Sequence, residues 1–510
     1  MSKKIISGIL VLCMILSCFG FSFAVSAESS VPIVYVGGQG AELYAKDGSC
    51  VYTGGRVPIG DLNIAETAKE IIPLLIGAVT LGQWDKYRTA VLNMWNPIYE
   101  KLRLDENCEP SNGTHIVWSW NPDNLVNDYN MHAYFFWYDW RLDPFTNAED
   151  LNRLIEAVKE KTGSSKVNLT GRCEGCTVVL AYLAQYGYED INCIGLYVSS
   201  INNIDDMGAL FSGEVYLDPV ILQRYYKEKV NIADNELSVL LDATVNYLVE
   251  TYGLEGACKL LNKAMPKLFS EIGYDLILSS YGNFPGMWAN IGSEYYEKAR
   301  KNVFAGKEKE YAGLIEKIDN YDVKVRQRID DILLGAKAAG INVGVFTKYG
   351  EFAYSIPVCK EGLDLNDGMC CLPCESFGAT CSKMDSALSK DYLEKADWKY
   401  ISPDKRVDAS TCLFPDTTWF NYNSSHKDFN DQTHVLIKWF FDNNGEVTVF
   451  SDSAFPQYYV IENNSIRAMA EDDVTVKYIK DETPRLFRII REFNRLLSAV
   501  FNYIVNLIKK

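Results

Sequence analysis

The stretch Val167-Asn168-Leu169-Thr170-Gly171-Arg172-Cys173-Glu174-Gly175-Cys176 leads from a β-branched apolar run, through two glycines, into the helical pattern Thr177 to Tyr186. A strand that breaks into Gly-x-Cys-x-Gly and re-enters as a helix has the form of a nucleophile elbow. Such a turn holds its central side chain in a strained backbone conformation. Gly171 and Gly175 are needed where a side chain would collide with the neighbouring strand and helix. Cys173 then stands at a helix N-terminus, where the dipole lowers a thiol pKa and the next backbone N–H, that of Glu174, faces a developing oxyanion. The chemistry this suits is acyl transfer through a thiolate.

A second oxyanion donor is expected from the loop after an early strand. Ile33-Val34-Tyr35-Val36-Gly37-Gly38-Gln39-Gly40 breaks from a strand into glycines whose bare backbone can approach a reacting carbonyl, and either Gly38 or Gln39 fits the role. A thiol nucleophile also needs a base, and an elbow of this kind takes its acid and then its His from later in the chain. Of the four His, His115 and His132 precede Cys173, which leaves His426 and His434. His426 follows the apolar run Thr418 to Tyr422, whereas His434 falls inside an apolar helical pattern and reads as a packed residue. For the acid, Asp367 in Leu365-Asn366-Asp367-Gly368 lies in the expected place, and Asp408 in Pro403-Asp404-Lys405-Arg406-Val407-Asp408 is the alternative. An Asp-Gly pair is by itself a turn signal, so Asp367 rests on chain order.

The elements that must position these residues alternate between strand and helix, the signature of a mainly parallel sheet with helices on its faces. Strands are predicted at Ile33 to Val36, Tyr134 to Tyr138, Val167 to Thr170, Cys193 to Val198, Ile341 to Phe346 and Thr418 to Tyr422. A helix is predicted over Asn147 to Thr162, with Leu151, Leu154, Ile155 and Val158 on one face and Gly163 as its C-cap. About 140 residues of mostly helical, charged sequence separate Ser200 from Ile341, too many for an ordinary connection and suited to a cap or lid. Glu446 to Phe450 and Tyr458 to Ile461 read as a small β extension. Thr483-Pro484 opens a last helix, with Leu486, Ile490, Phe493, Leu497, Val500, Ile504 and Leu507 on one face and a charge of +5 over residues 485–510. Such a helix either lies in an anionic membrane surface or docks on the acidic body of its own domain. The division predicted is a signal segment at 1–27, a core in two parts at 28–200 and 341–440, a helical cap at 201–340, the β extension at 441–484 and the terminal helix at 485–510.

The chain has 510 residues, 48% hydrophobic and 23% charged, without repeats or low-complexity tracts, so disorder, collagen, coiled coil and solenoids are excluded. A net charge of −17 without a basic stripe in the main body argues against nucleic acid as a partner. Lys3 and Lys4, the apolar run Ile5 to Val25 and the ending Val25-Ser26-Ala27 have the three parts of a cleavable signal peptide, which implies a secreted protein or one held at the outer face of a membrane. A lipoprotein signal with Cys18 as the lipidated residue is the alternative. Twelve Cys remain after that segment, to be read as disulfides or buried thiols. A zinc site drawn from Cys371, Cys374, Cys381 and Cys412 lacks the paired spacing and any His, so no metal or other cofactor is expected. Cys173-x-x-Cys176 also has the form of a redox dithiol, though no thioredoxin-like context surrounds it.

These residues resemble the lecithin:cholesterol acyltransferase and phospholipid:diacylglycerol acyltransferase family of α/β hydrolases. Tyr138-Asp139-Trp140-Arg141-Leu142-Asp143-Pro144 is similar to that family's Tyr-Asp-Trp-Arg segment, Gly171 to Cys176 to its elbow, Asp367-Gly368 to its acid motif and His426 to its base. Ser279-Ser280-Tyr281-Gly282-Asn283-Phe284-Pro285-Gly286-Met287-Trp288 loosely resembles its cap segment. The resemblance spans roughly Val31 to Phe440. It implies an α/β-hydrolase fold with a cap shaping an acyl pocket, and an acyl hydrolase or acyltransferase acting on lipid-like esters. Three positions depart from the pattern: Cys173 stands for Ser, Arg172 for His, and the charged Glu174 follows the nucleophile, with Arg172 as its available counter-charge. A thiol makes thioesters and activated esters the favoured substrates. The alternative these departures suggest is a degenerate hydrolase fold that binds a lipid, a glycan or a protein.

Overall fold

Alternating apolar runs and helical patterns fold, in a computed structural model, into a mixed α/β architecture built on one mostly parallel sheet flanked by helices. The structure describes residues 31–39, 41–53, 64–116, 125, 127–128, 133–202, 204–225, 243, 246–251, 253–353, 358, 363–384, 386–428, 431–473 and 485–509. The signal segment with Cys18, and also Gly40, His132 and the Thr483-Pro484 helix start, lie outside the described residues.

The main sheet contains β1 (Ile33–Val36), β2 (Asn127–Asp128), β3 (Ala133–Phe136), β4 (Val167–Arg172), β5 (Ile191–Tyr197), β6 (Asn342–Tyr349), β7 (Thr418–Tyr422), β8 (Tyr458–Glu462) and β9 (Ser465–Ala468). Its nine strands run in the order β9-β8-β7-β6-β5-β4-β1-β3-β2. Every pairing from β3 to β8 is parallel, and the short edge strands β2 and β9 are antiparallel to their neighbours. Parallel strands need a cover on both faces. On one face α1 (Pro144–Thr162), α2 (Gly175–Tyr186) and α3 (Ile329–Ala338) share a core with Val34, Val36, Leu169 and Ile194. On the other, α4 (Asp431–Asp442) places Leu436, Ile437, Phe440 and Phe441 against Tyr35, Phe346 and Trp419.

The six predicted core strands form, Ile33–Val36 and Thr418–Tyr422 with the predicted ends and the other four with shifted ends. The run predicted over Tyr134 to Tyr138 pairs over Ala133–Phe136, because the chain leaves the ladder at Trp137 to turn into the Asp139-Trp140-Arg141 loop. β6 continues past Phe346 to Tyr349, with Thr347 and Lys348 wholly buried. Glu446 to Phe450 does not form a strand: Thr448 and Ser451 bond each other in a turn, and the Val449 N–H goes to the Asp416 carbonyl. Tyr458–Glu462 does pair, extending the main sheet in parallel.

α1 begins at Pro144 rather than Asn147, since Asp143 caps it by accepting from the Phe145 N–H and Pro144 occupies the first helical position. It ends as predicted at Gly163, whose φ of 73° suits the left-handed cap. The stretch between β5 and β6 is helical where described. Its Tyr281–Trp288 portion is fixed to the loop after β3 by the Gly286 N–H, which donates to the Arg141 carbonyl, and is closed on itself by Trp288 Nε1 donating to the Gly282 carbonyl. That loop is held in turn by Arg141, fully buried, which bridges Asp139 through two bonds of 2.9 and 2.6 Å and donates to the carbonyls of Leu102 and Thr114.

Candidate active site

β1, β4, β6 and β7 are parallel neighbours or near neighbours, so their carboxyl ends open on one edge of the sheet, where parallel α/β folds place their ligands. The chain leaves β4 at Arg172 and enters α2 at Gly175, which puts Cys173 on the turn between them. Its φ is 54°, a left-handed conformation rare for a residue with a side chain. The turn is held by the Cys173 N–H donating to the Tyr197 carbonyl and the Cys176 N–H donating to the Cys173 carbonyl.

Both flanking glycines are sterically required. A Cβ on Gly171 would meet Cys176 backbone atoms at 2.9 Å, and one on Gly175 would meet the carbonyl oxygens of Val36 and Gly37 at 2.4 and 2.5 Å. The loop after β1 therefore closes directly on the start of α2. Within that loop Gly38 abuts Cys173, where a Cβ would lie 3.0 Å from Cys173 Cβ and 3.2 Å from the Arg172 carbonyl oxygen. Gln39 reaches away, its Nε2 lying 3.2 Å from Met287 Sδ in the Tyr281–Trp288 portion. Gly38 is thus seated against the thiol, and the Gln39 side chain ties the same loop to Met287.

Asp367 and His426 meet although 59 positions separate them. His426 Nδ1 lies 2.5 Å from Asp367 Oδ2, and the His426 backbone N–H donates to the Asp367 carbonyl at 2.7 Å. The other carboxylate oxygen, Oδ1, accepts from the N–H groups of Met369 and Cys370. With Nδ1 engaged, Nε2 is the ring atom left for the thiol; it is buried and carries no formed hydrogen bond. Such contacts commonly tighten only around substrate. Asp408 takes no part: it caps a short helical turn through the Ser410 N–H and accepts from the Tyr392 hydroxyl at 2.8 Å. His434 packs in α4 with its ring 6.0 Å from that of Tyr35 and 5.9 Å from that of Tyr197.

Electrostatics joins the three groups. Burial pushes the Cys173 thiol up, but the nearby His426 ring, the Arg172 charge and the Glu174 backbone N–H outweigh it and hold the thiol below its ordinary value. For His426, burial works downward, yet Asp367 and Cys173 hold the ring at about 9. The pair favours a thiolate beside an imidazolium. Cys176, the other member of the Cys-x-x-Cys, is fully buried on α2, and burial pushes its thiol well up. The two sulfurs are separate thiols, as are Cys50, Cys108, Cys193, Cys258, Cys370, Cys374, Cys381 and Cys412.

Arg172 is not placed as a counter-charge to Glu174. Its Nη2 donates to the His426 carbonyl at 2.8 Å, and its guanidinium stands 5.8 Å over the Tyr197 ring. The Glu174 side chain is buried, with Oε2 lacking a hydrogen-bond partner. Burial, then Cys173, then Asp139 push that carboxyl well above the usual range, which disfavours a repelling charge beside the thiol.

Three site residues escaped the sequence reading. Lys348, wholly buried on β6, donates through Nζ to the carbonyls of Ser425 and Asp428 and so holds the turn carrying His426. Glu375 accepts from the Lys348 backbone N–H, and burial together with Asp367 pushes its carboxyl well up. Cys370 adjoins the acid and the base: the donor atoms of Asp367, Cys370 and His426 lie within 4.8 Å of one another, the set best suited among the described residues to a metal ion. A polar Lys within an otherwise apolar strand was the available signal for the first.

The site is closed. Cys173 is 8% exposed, His426 4% and Asp367 0%, with Met287 and Gly286 packed against Gln39 and Glu174 respectively. Among the described residues, one cavity of about 640 Å³ is lined by Tyr392, Lys395, Asp397 and Asp408, and one of about 340 Å³ by Arg103, Asp275, Lys307 and Tyr311.

No protein-family model matches the chain, and no curated protein matches it. Among solved structures, a chain described as "The crystal structure of Tle4-Tli4 complex" is similar at 10% identity and a TM-score of 0.26, over 62% of this chain and 75% of that chain, a likeness too slight to bear on fold or function.

Proposed function

We propose that the chain is an α/β-hydrolase-fold acyl hydrolase or acyltransferase of lipid-like esters or thioesters, working through Cys173, His426 and Asp367. The observation that carries this reading is the joint placement of a left-handed Cys173 between β4 and α2 and a His426 ring fixed at 2.5 Å by Asp367, with Nε2 left for the thiol. In this reading the Cys173 thiolate attacks the acyl carbonyl. The N–H groups of Glu174 and the Gly38–Gln39 loop receive the oxyanion, and His426 passes its proton to the leaving alcohol or thiol. Water or an alcohol, deprotonated by His426, then releases the acyl group. The 201–340 segment acts as the cap, and the Met287–Gln39 contact is where it meets the oxyanion loop.

The test incubates the reduced protein with p-nitrophenyl acyl esters and acyl thioesters and follows turnover and intact mass. An acyl adduct confined to Cys173, lost in Cys173→Ala and with turnover abolished in His426→Ala, is the expected result. A second reading, a binding module without turnover, is favoured by the closed site and by the unpartnered Glu174 carboxyl. Saturable lipid binding without adduct or turnover would select it.

A further inference from the structure

The terminal helix α5 (Arg485–Lys509) is docked inside out. At 100° per residue, Leu486, Phe487, Ile490, Phe493, Leu497, Val500 and Phe501 fall within one arc of about 140°. That arc faces solvent: Leu486 is 65% exposed, Phe487 63% and Phe501 67%. The residues turned inward include Glu492, 6% exposed, and Ala499. Among the described residues the helix is attached through Arg488 Nε to Glu250 at 3.0 and 3.1 Å and a ring contact of Phe493 to Tyr247 at 5.7 Å. Of the two arrangements the sequence allows, the exposed arc does not show the docking of the apolar face onto the protein's own acidic body.

We propose that this outward face is a docking surface for an anionic lipid bilayer, entered edge-on by the apolar arc. The occupant follows from charge and shape. Residues 485–510 carry +5 in a chain of −17, so an anionic surface attracts this helix and repels the remainder, which fixes the orientation. Arg491, about half exposed, borders the arc, and Arg495 lies further round toward the inward side, both beside the Glu492 carboxylate. An apolar arc of Phe, Leu and Ile with Arg at its border is the pattern of a helix lying in the headgroup region. No described helix is long and apolar enough to cross a membrane, so the helix lies on the surface rather than spanning it. A second copy is the weaker occupant, because it would set two segments of +5 against each other.

This surface stands whether or not Cys173 turns over a substrate. The test is flotation of the full chain with vesicles of phosphatidylcholine alone or with phosphatidylglycerol added, at low and high salt, alongside light scattering of the free protein. Binding should be at least about tenfold stronger to the anionic vesicles and weaken with salt. It should be lost in Ile490→Asp with Leu497→Asp, exposed positions whose change leaves the core intact, and retained in Cys173→Ala. A Phe493→Trp reporter should shift its emission to the blue on binding. Equal binding by the double Asp variant would overturn the proposal. So would failure to bind any vesicle, including the case of a dimer that the same variant dissociates, which would assign the face to a second copy.

Discussion

Lys348 reaches His426 through the turn that carries it: its Nζ lies 3.0 Å from the Ser425 carbonyl oxygen and 2.6 Å from that of Asp428, bracketing the imidazole. A buried ammonium is tolerated because two of its three N–H groups are hydrogen-bonded and the Tyr197 ring stands 5.3 Å away as a further partner. Lys348→Met removes the charge but leaves two carbonyls unpaired, at about 1–3 kcal/mol each. The expected result is a kcat lowered about tenfold with KM little changed. The alkaline limb of the pH profile should also move, since a loosened His426 loses part of its bond to Asp367. A variant that only lost stability would leave that limb in place.

Cys173 should be the thiol that small alkylating agents find at neutral pH. Its pKa is held down by His426 and Arg172, while burial pushes Cys176 and Cys370 up. Iodoacetamide followed by peptide mass analysis should give an adduct at Cys173, slowed about tenfold in His426→Ala. The same pair sets a stability window. His426, raised to about 9 in the folded chain, contributes stability that is fully present below its unfolded value near 6.5 and is lost as pH rises through about 9. The lowered Cys173 thiol offsets that loss in the parent, so thermal unfolding across that range should show it in Cys173→Ala and not once His426→Ala is added.

How far the sequence carries differs by element for physical reasons. Cys173, Asp367 and His426 were legible because chain order and strand ends fix them, and a parallel sheet brings those ends to one edge whatever the loops do. Lys348 was not. A Lys after Phe346 reads as the end of a strand, whereas the strand continues because a loop 77 positions later supplies the carbonyl that satisfies the ammonium. Glu446 to Phe450 has strand composition, but local Thr448 and Ser451 bonding wins over β propensity. For α5 the apolar face was legible and its direction was not, since direction depends on which neighbour its polar face meets.

Glu174→Gln distinguishes a neutral acid from a repelling charge. Because burial raises the Glu174 carboxyl well above its ordinary value, the folded chain holds a proton that the unfolded chain releases above about 4.5. The parent is therefore penalised as pH rises from there, by up to about 1.4 kcal/mol per pH unit, and Gln removes the penalty. The stability advantage of Glu174→Gln should grow from acid to neutral pH in denaturant titrations. Cys173 alkylation at pH 7 should stay within about threefold of the parent, since neither side chain carries charge there. A marked acceleration would mean that the native carboxyl is ionised.

Gly175 and Gly163 separate steric closure from backbone conformation. At Gly163 the chain needs φ of 73° with nothing within 4 Å of an added Cβ, so Gly163→Ala should cost about 1 kcal/mol in denaturant titrations and leave Cys173 reactivity unchanged. At Gly175 the obstacle is backbone oxygen at 2.4 and 2.5 Å, from Val36 and Gly37, which cannot rotate away. Gly175→Ala must push the loop after β1 off the start of α2, at about 1–3 kcal/mol or more. Because Gly38 in that loop abuts Cys173, the same displacement opens the oxyanion side of the site, and acyl turnover should fall by about a hundredfold. Equal effects of the two alanines on turnover would show that the closeness of the Gly38 loop to Cys173 has no bearing on the chemistry.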